Sequence, residues 1–106
     1  MAWLFLAAAI ALEITATFLL KLSDGFARWQ WGSLSILFYT LCFWALAPAL
    51  KLLPVGVVYA VWAGVGILGA VLLGWVFFSE TLGWVQLGFI ALIGIGAIGL
   101  RLTTGA

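Results

Sequence analysis

Apolar residues fill the chain, and the few polar positions gather into clusters that divide it into four apolar stretches. The first runs from about Trp3 to Leu20 and closes at Lys21, Ser23, Asp24 and Gly25, where Asp24-Gly25 is a turn signal. Phe26, Arg28, Trp29 and Trp31 follow as residues suited to a membrane interface. The second stretch, about Trp31 to Leu50, carries no charge and ends at Lys51, with Pro48 near its end expected to bend it. Pro54 opens the third, about Val55 to Phe78, which closes at Ser79, Glu80 and Thr81. The fourth runs from about Gly83 to Leu100 and closes at Arg101. A helix that crosses a bilayer core of about 30 Å needs about 20 apolar residues, so the pattern predicts four crossings, with helices over about 3–20, 31–50, 55–78 and 83–100. The expected fold is all-α and integral to the membrane, a single domain over residues 1–106.

Composition supports the pattern. Of the 106 residues, 68% are hydrophobic and 7% charged, which would leave a water-soluble domain without a polar surface. The net charge is +1 and histidine is absent, so no basic patch is offered to nucleic acid and no imidazole to catalysis or a metal. Cys42 is the only cysteine, which excludes an intrachain disulfide and a cysteine metal cluster. No cofactor and no metal are expected. The first stretch has no basic residue ahead of it and holds Glu13 in its middle, so it reads as a retained helix and not as a signal peptide.

The basic residues are balanced across the membrane. Lys21 and Arg28 fall on one side, Lys51 and Arg101 on the other. Lys and Arg near helix ends set orientation, so an even tally predicts insertion both ways up and head-to-tail pairing of two copies. Four thin helices enclose little volume, and a substrate cavity forms more easily between two copies than within one. The expected assembly is therefore an antiparallel, dual-topology homodimer.

Glu13 is the strongest chemical signal. A carboxylate midway along an apolar helix costs several kcal/mol unless it faces protein, water or a bound cation. It can hold either a proton or another cation, which amounts to exchange on one group. At helical spacing its neighbours are Leu6, Ala9, Ile10, Ala16, Thr17 and Leu20, and the small ones are expected to leave room beside it, with Ala9, Ile10, Ala16 and Thr17 as a pocket floor. In the third stretch Tyr59 and Trp62 stand at i and i+3, an aromatic wall suited to an organic cation, or else ordinary packing. The Tyr59 hydroxyl is expected to pair with Glu13 across the dimer. Ser35, Tyr39, Cys42 and Phe43 form a mildly polar stripe on the second, which either completes the cavity wall or packs in the core.

Glycine has further expected uses. Gly64-Val65-Gly66 puts two weak points within one turn, a candidate hinge. Gly56, Ala60 and Gly64, then Gly66, Ala70 and Gly74, repeat at four-residue spacing for close helix approach. Gly88, Ala91, Gly94, Gly96 and Gly99 make the fourth helix an association surface, read as a dimer contact. Lys21, Arg28, Lys51 and Arg101 are expected to snorkel to the headgroups, and Asp24 and Glu80 to be ordinary loop charges.

These residues resemble the small multidrug resistance family of bacterial inner-membrane transporters. The resemblance rests on the length, the four helices, Glu13, the run Leu20-Lys21-Leu22-Ser23-Asp24-Gly25-Phe26, and the run Pro54-Val55-Gly56-Val57-Val58-Tyr59-Ala60-Val61-Trp62-Ala63-Gly64-Val65-Gly66. It implies an antiparallel homodimer in which two copies of Glu13 share a site for protons or one cationic substrate, so that an inward proton gradient drives export. The family has a drug branch, exporting quaternary ammonium and other lipophilic cations, and a guanidinium branch. The latter usually has Gly three residues before the glutamate and Trp three after. Ile10 and Ala16 stand there in this chain, which is similar to the drug branch, and Ala16 would leave volume for bulky cations. Ile67-Leu68-Gly69-Ala70 is more like the guanidinium branch, and Cys42 stands where Ser is common. The leading reading is a proton-coupled antiporter for hydrophobic organic cations such as quaternary ammonium compounds. Selective guanidinium export, and a non-transporting scaffold or obligate heteromer subunit, stand beside it. A membrane enzyme is set aside, since no nucleophile, base and orienter can be assembled.

Overall fold

In the computed structural model, which describes residues 1–104, four helices follow one another: α1 Ala2–Leu22, α2 Trp29–Leu52, α3 Val55–Phe77 and α4 Trp84–Thr103. All four are long and apolar enough to cross a membrane. The last two residues of the expected 1–106 domain lie outside the described residues. The observed ends differ from the expected ones by a few residues: α1 continues through Lys21, α2 begins at Trp29 and α4 continues to Thr103, while α3 stops at Phe77 and α4 begins at Trp84.

The ends have local causes. The Ser23 hydroxyl donates to the Leu20 carbonyl (2.6 Å) and accepts from the Phe26 amide (3.1 Å), replacing helical bonds as α1 stops. Asp24, Gly25 and Phe26 then take the left-handed conformation, at φ 51°, 65° and 68°, and the Phe26 ring lies against Gly32, where a Cβ would collide with it. Pro48 sits inside α2 without ending it. Its missing N–H leaves a carbonyl one turn earlier without its helical donor. Pro54 is the residue just ahead of α3, and its carbonyl accepts from the Val58 amide at 3.0 Å. At the start of α4 the Gln86 side chain accepts from the Gly83 amide at 2.9 Å.

Packing follows small residues, as it must where lipid supplies no hydrophobic drive between helices. Ala9, Ala16, Cys42 and Ala49 have no exposed surface. The Ser35 hydroxyl, also fully buried, donates 2.8 Å to the Ala16 carbonyl and fastens α2 to α1. The core of Leu6, Ala9, Cys42, Leu46, Ala49, Val58 and Val61 draws on α1, α2 and α3. By contrast, α4 buries only Gly94 and Ala97 among its residues. It meets α3 where a Cβ on Gly64 would stand 2.9 Å from the Ala97 methyl, and where one on Gly94 would stand 2.9 Å from the Leu68 side chain. Beyond that crossing a groove of about 730 Å³ opens, lined by Leu68, Val71, Trp75, Leu87 and the Glu80 loop among others.

At the end where α1 and α3 finish, Phe18 packs edge-on to Phe77 at 5.2 Å between centroids and obliquely to Phe78 at 5.6 Å. Lys21 pairs with Glu80 at 3.0 Å and lies 5.7 Å from the Phe78 ring centre. These two charges, expected to be a snorkelling anchor and an unremarkable loop residue, thus tie the α3–α4 loop to α1. Both side chains are about half exposed, so the tie contributes under about 1 kcal/mol. Arg101 lies over the Trp3 ring at 4.4 Å, so it too has a partner within the chain.

Candidate functional site

Glu13 stands midway along α1 and turns to α3 at Gly66. A Cβ at Gly66 would collide with Glu13 Oε2 and lie 3.1 Å from its Cδ, so only glycine leaves space for the carboxylate. One turn along α3, Gly69 receives the Ile14 side chain in the same way. α3 is an unbroken helix through Gly64 and Gly66, and each of these expected hinge residues has a packing role: Gly64 admits Ala97, and Gly66 admits Glu13.

Among the described residues, Glu13 Oε2 and Trp62 Nε1 are the buried side-chain polar atoms without a hydrogen-bond partner. One is an acceptor and the other a donor. Leaving such a group unpaired costs about 1–3 kcal/mol, so Glu13 Oε2 is open to a ligand, whereas the Trp62 N–H has the Cys42 thiol in reach as a weak acceptor. Trp62 sits between two further rings, Tyr59 at 5.7 Å edge-on and Phe43 at 6.2 Å. Cys42 is buried, within electrostatic reach of Glu13 and beside Trp62.

Thr17, one turn beyond Glu13, donates to the Glu13 carbonyl at 2.9 Å and lies 2.6 Å from the Tyr39 hydroxyl. The stripe on α2 and the neighbours of Glu13 on α1 are therefore one polar connection. The sequence held both halves at helical spacing, but nothing in it said that they meet.

Other expected residues are placed differently. Ala9 and Ala16 are fully buried and Ile10 is 9% exposed, so these members of the floor are closed into helix contacts of the protomer. Ala16 is not an open position here, because α2 comes close enough for Ser35 to bond its carbonyl. Tyr59 is 64% exposed, and its pairing with Glu13 is absent within the protomer. On α4, Gly94 is spent on Leu68 of the same chain and is not free for a partner copy. Gly88, Ala91 and Gly96 are exposed, and a Cβ on either glycine would meet nothing within 4 Å. The seat at Gly66 and the Lys21–Glu80 pair were missed: the first hides in a motif that also signals flexibility, and the second joins residues far apart in the chain.

A bundle of four membrane helices with a buried, unpartnered carboxylate oxygen inside it has the form of a small membrane transporter. The family described as Small Multidrug Resistance protein matches residues 1–93, and the chain belongs to that family. It is 43% identical over 96 residues to the quaternary ammonium compound-resistance protein QacF of Klebsiella aerogenes, covering 91% of this chain and 83% of that protein. It is 46% identical over 86 residues to the spermidine export protein MdtI of Yersinia pestis (strain Pestoides F), covering 78% of this chain and 79% of that one. MdtI of Yersinia pseudotuberculosis serotype O:1b matches to the same extent. The chain is a multi-pass protein of the inner membrane, on the multidrug side of the family. Its relatives are transporters and not enzymes.

Proposed function

We propose that the protein is a proton-coupled antiporter that exports hydrophobic organic cations, quaternary ammonium compounds among them, as an antiparallel homodimer. The observation that carries this reading is Glu13: its Oε2 is buried and unpartnered and it faces Gly66, with Cys42 within reach of both Glu13 and Trp62. Such a carboxylate binds one positive charge at a time, a proton or a substrate. Trp62, with Phe43 and Tyr59 around it, supplies ring faces to a cation that has shed its water. The names of the relatives support organic cations as the substrate class.

What the protomer leaves open supports the dimer. Tyr59 is exposed, and on α4 Gly88, Ala91 and Gly96 are exposed, with open space where a Cβ on either glycine would stand. A second, inverted copy packing through that face would bring a second Glu13 to the cavity and close it. Exchange then needs only that the cavity open alternately to each side, with Gly64 and Gly66 as the points where α3 yields.

The test is charge movement by purified protein in liposomes, with a tetra-alkylammonium cation, guanidinium, and Glu13→Gln as the blank. Currents for the bulky cation that vanish in Glu13→Gln are expected. Currents for guanidinium alone would move the protein to selective export, and currents that survive in Glu13→Gln would remove the carboxylate from the mechanism.

A further inference from the structure

The groove between α3 and α4 is a second concave feature, away from Glu13. Its volume of about 730 Å³ lies in the range of ligand clefts, and its lining is apolar apart from Glu80 and Thr81. Ile67, Leu68, Val71 and Trp75 follow one face of α3 along it, over about 12 Å of helix. The loop residues Glu80 and Thr81 stand at the end where α3 finishes. Leu72 and Trp75, which also line the groove, are exposed, so it opens sideways to the bilayer.

Glu80 is fixed at that end by α3. Its amide donates to the Gly74 carbonyl at 3.0 Å, and a Cβ at Gly74 would collide with its Oε1, so this carboxylate too is seated on a glycine. Oε2 pairs with Lys21, which reaches it from α1 beside the Phe78 ring and is not part of the groove wall. Both partners are about half exposed, so the pair exchanges readily for another cation. Glu80 is the one charged residue in the groove wall.

In hydrocarbon an apolar wall selects nothing, because a lipid chain fills it as well as any other chain. The occupant is therefore chosen at the polar end. There a carboxylate and an exposed indole, Glu80 and Trp75, can hold a quaternary ammonium group by charge and by cation–π contact. A phospholipid brings a phosphate to the same end, where Glu80 repels it and Lys21 is already paired.

We propose that this groove is a second cation site, which takes single-chain amphiphilic cations of the alkyltrimethylammonium kind, with the headgroup at Glu80 and Trp75 and the chain along α3. The site is separate from Glu13 and holds its ligand whether or not Glu13 is the exchange group. Its ligand enters from the bilayer, with its headgroup at the depth of the α3–α4 loop.

The experiment is equilibrium dialysis of radiolabelled decyltrimethylammonium against the protein in lipid nanodiscs, with binding to empty nanodiscs subtracted. Glu13→Gln is the background, so that binding at the central carboxylate is removed. Saturable binding is expected to persist in Glu13→Gln and to weaken about fivefold when Glu80→Gln is added, the upper worth of a half-exposed ion pair. Trp75→Leu is expected to weaken it about two- to fivefold. Lys21→Gln separates a ligand role from a merely structural one: it breaks the same pair but frees the carboxylate, so binding is expected to tighten. Equal losses in Lys21→Gln and Glu80→Gln would mean that the pair only holds the loop, and would overturn the proposal. So would the absence of saturable binding in Glu13→Gln, or equal competition by decylphosphocholine, which carries the same headgroup cation with a phosphate and would make the groove a lipid site. Failure of the Glu13 reading shows elsewhere, in parent protein that binds tetraethylammonium no better than Glu13→Gln does.

Discussion

The two ends of the helix order are built differently. α1 is held by α2 and α3 through residues with no exposed surface, Ala9, Ala16 and Cys42, through the Ser35 bond and through the seat of Glu13 on Gly66. α4 touches α3 at one crossing, Gly64 with Ala97 and Leu68 with Gly94, and leaves most of its length open. Precision is concentrated where a charge must be held in an apolar surrounding, and the free surface lies where a neighbouring copy is proposed to pack. Close approach in a membrane depends on small side chains, and the same residue type serves both purposes, so position alone separates them.

The comparison is tested most severely at glycine. Gly66→Ala puts a methyl group where the Glu13 carboxylate lies. Overpacking of this kind costs about 1–3 kcal/mol, so cation affinity is expected to fall about tenfold or more while helix content by circular dichroism is retained. Gly96→Ala, on the open face of α4, is the control. An affinity loss equal to that of Gly66→Ala would erase the difference between the two regions.

The next effect concerns the open face itself. Replacing Gly88 and Gly96 together by Leu fills space that is empty in the protomer. If that face meets a second copy, dimerisation measured by single-molecule energy transfer in lipid is expected to weaken about tenfold or more, the monomer staying folded. A dimer as tight as the parent's would assign the partner contact to another surface. Gly94→Val is expected to act within the chain instead, lowering thermal stability by about 1–3 kcal/mol through its clash with Leu68.

Smaller effects are expected from polar ties. Ser35→Ala removes the bond to the Ala16 carbonyl, and side-chain hydrogen bonds between membrane helices contribute about 0.6 kcal/mol on average. Unfolding in mixed detergent and denaturant would measure it; a loss of several kcal/mol would mean that this bond, and not the small-residue seam, holds α1 to α2. Glu80→Gln opens the half-exposed pair with Lys21 and is expected to change stability by under about 1 kcal/mol, less still in high salt.

Much of this molecule is legible in its residues because a bilayer is a demanding solvent. Hydrocarbon leaves no partner for an open backbone, so apolar runs of this length have to be helices, and the polar clusters at Lys21 to Gly25, Lys51 and Ser79 to Thr81 have to be their ends. The same solvent makes Glu13 conspicuous, since an acid in that setting is costly wherever it points. The faces are less legible. Residues three and four positions either side of Glu13 look alike in sequence, yet Ala9 and Ala16 close against neighbouring helices while Thr17 reaches Tyr39.

What the amino-acid sequence determined by itself is therefore the number of crossings, the medium and the one ionisable group within it, all of which follow from the free energy of single residues in lipid. Tertiary structure alone decided that Gly66 seats the carboxylate, that Gly94 packs on Leu68 of α3, that Lys21 finds Glu80, and that Thr17 meets Tyr39. Those are properties of pairs, and a pair is chosen by the rotation of two helices about their axes. Helices this apolar on every side carry no amphipathic stripe that would announce the rotation in advance.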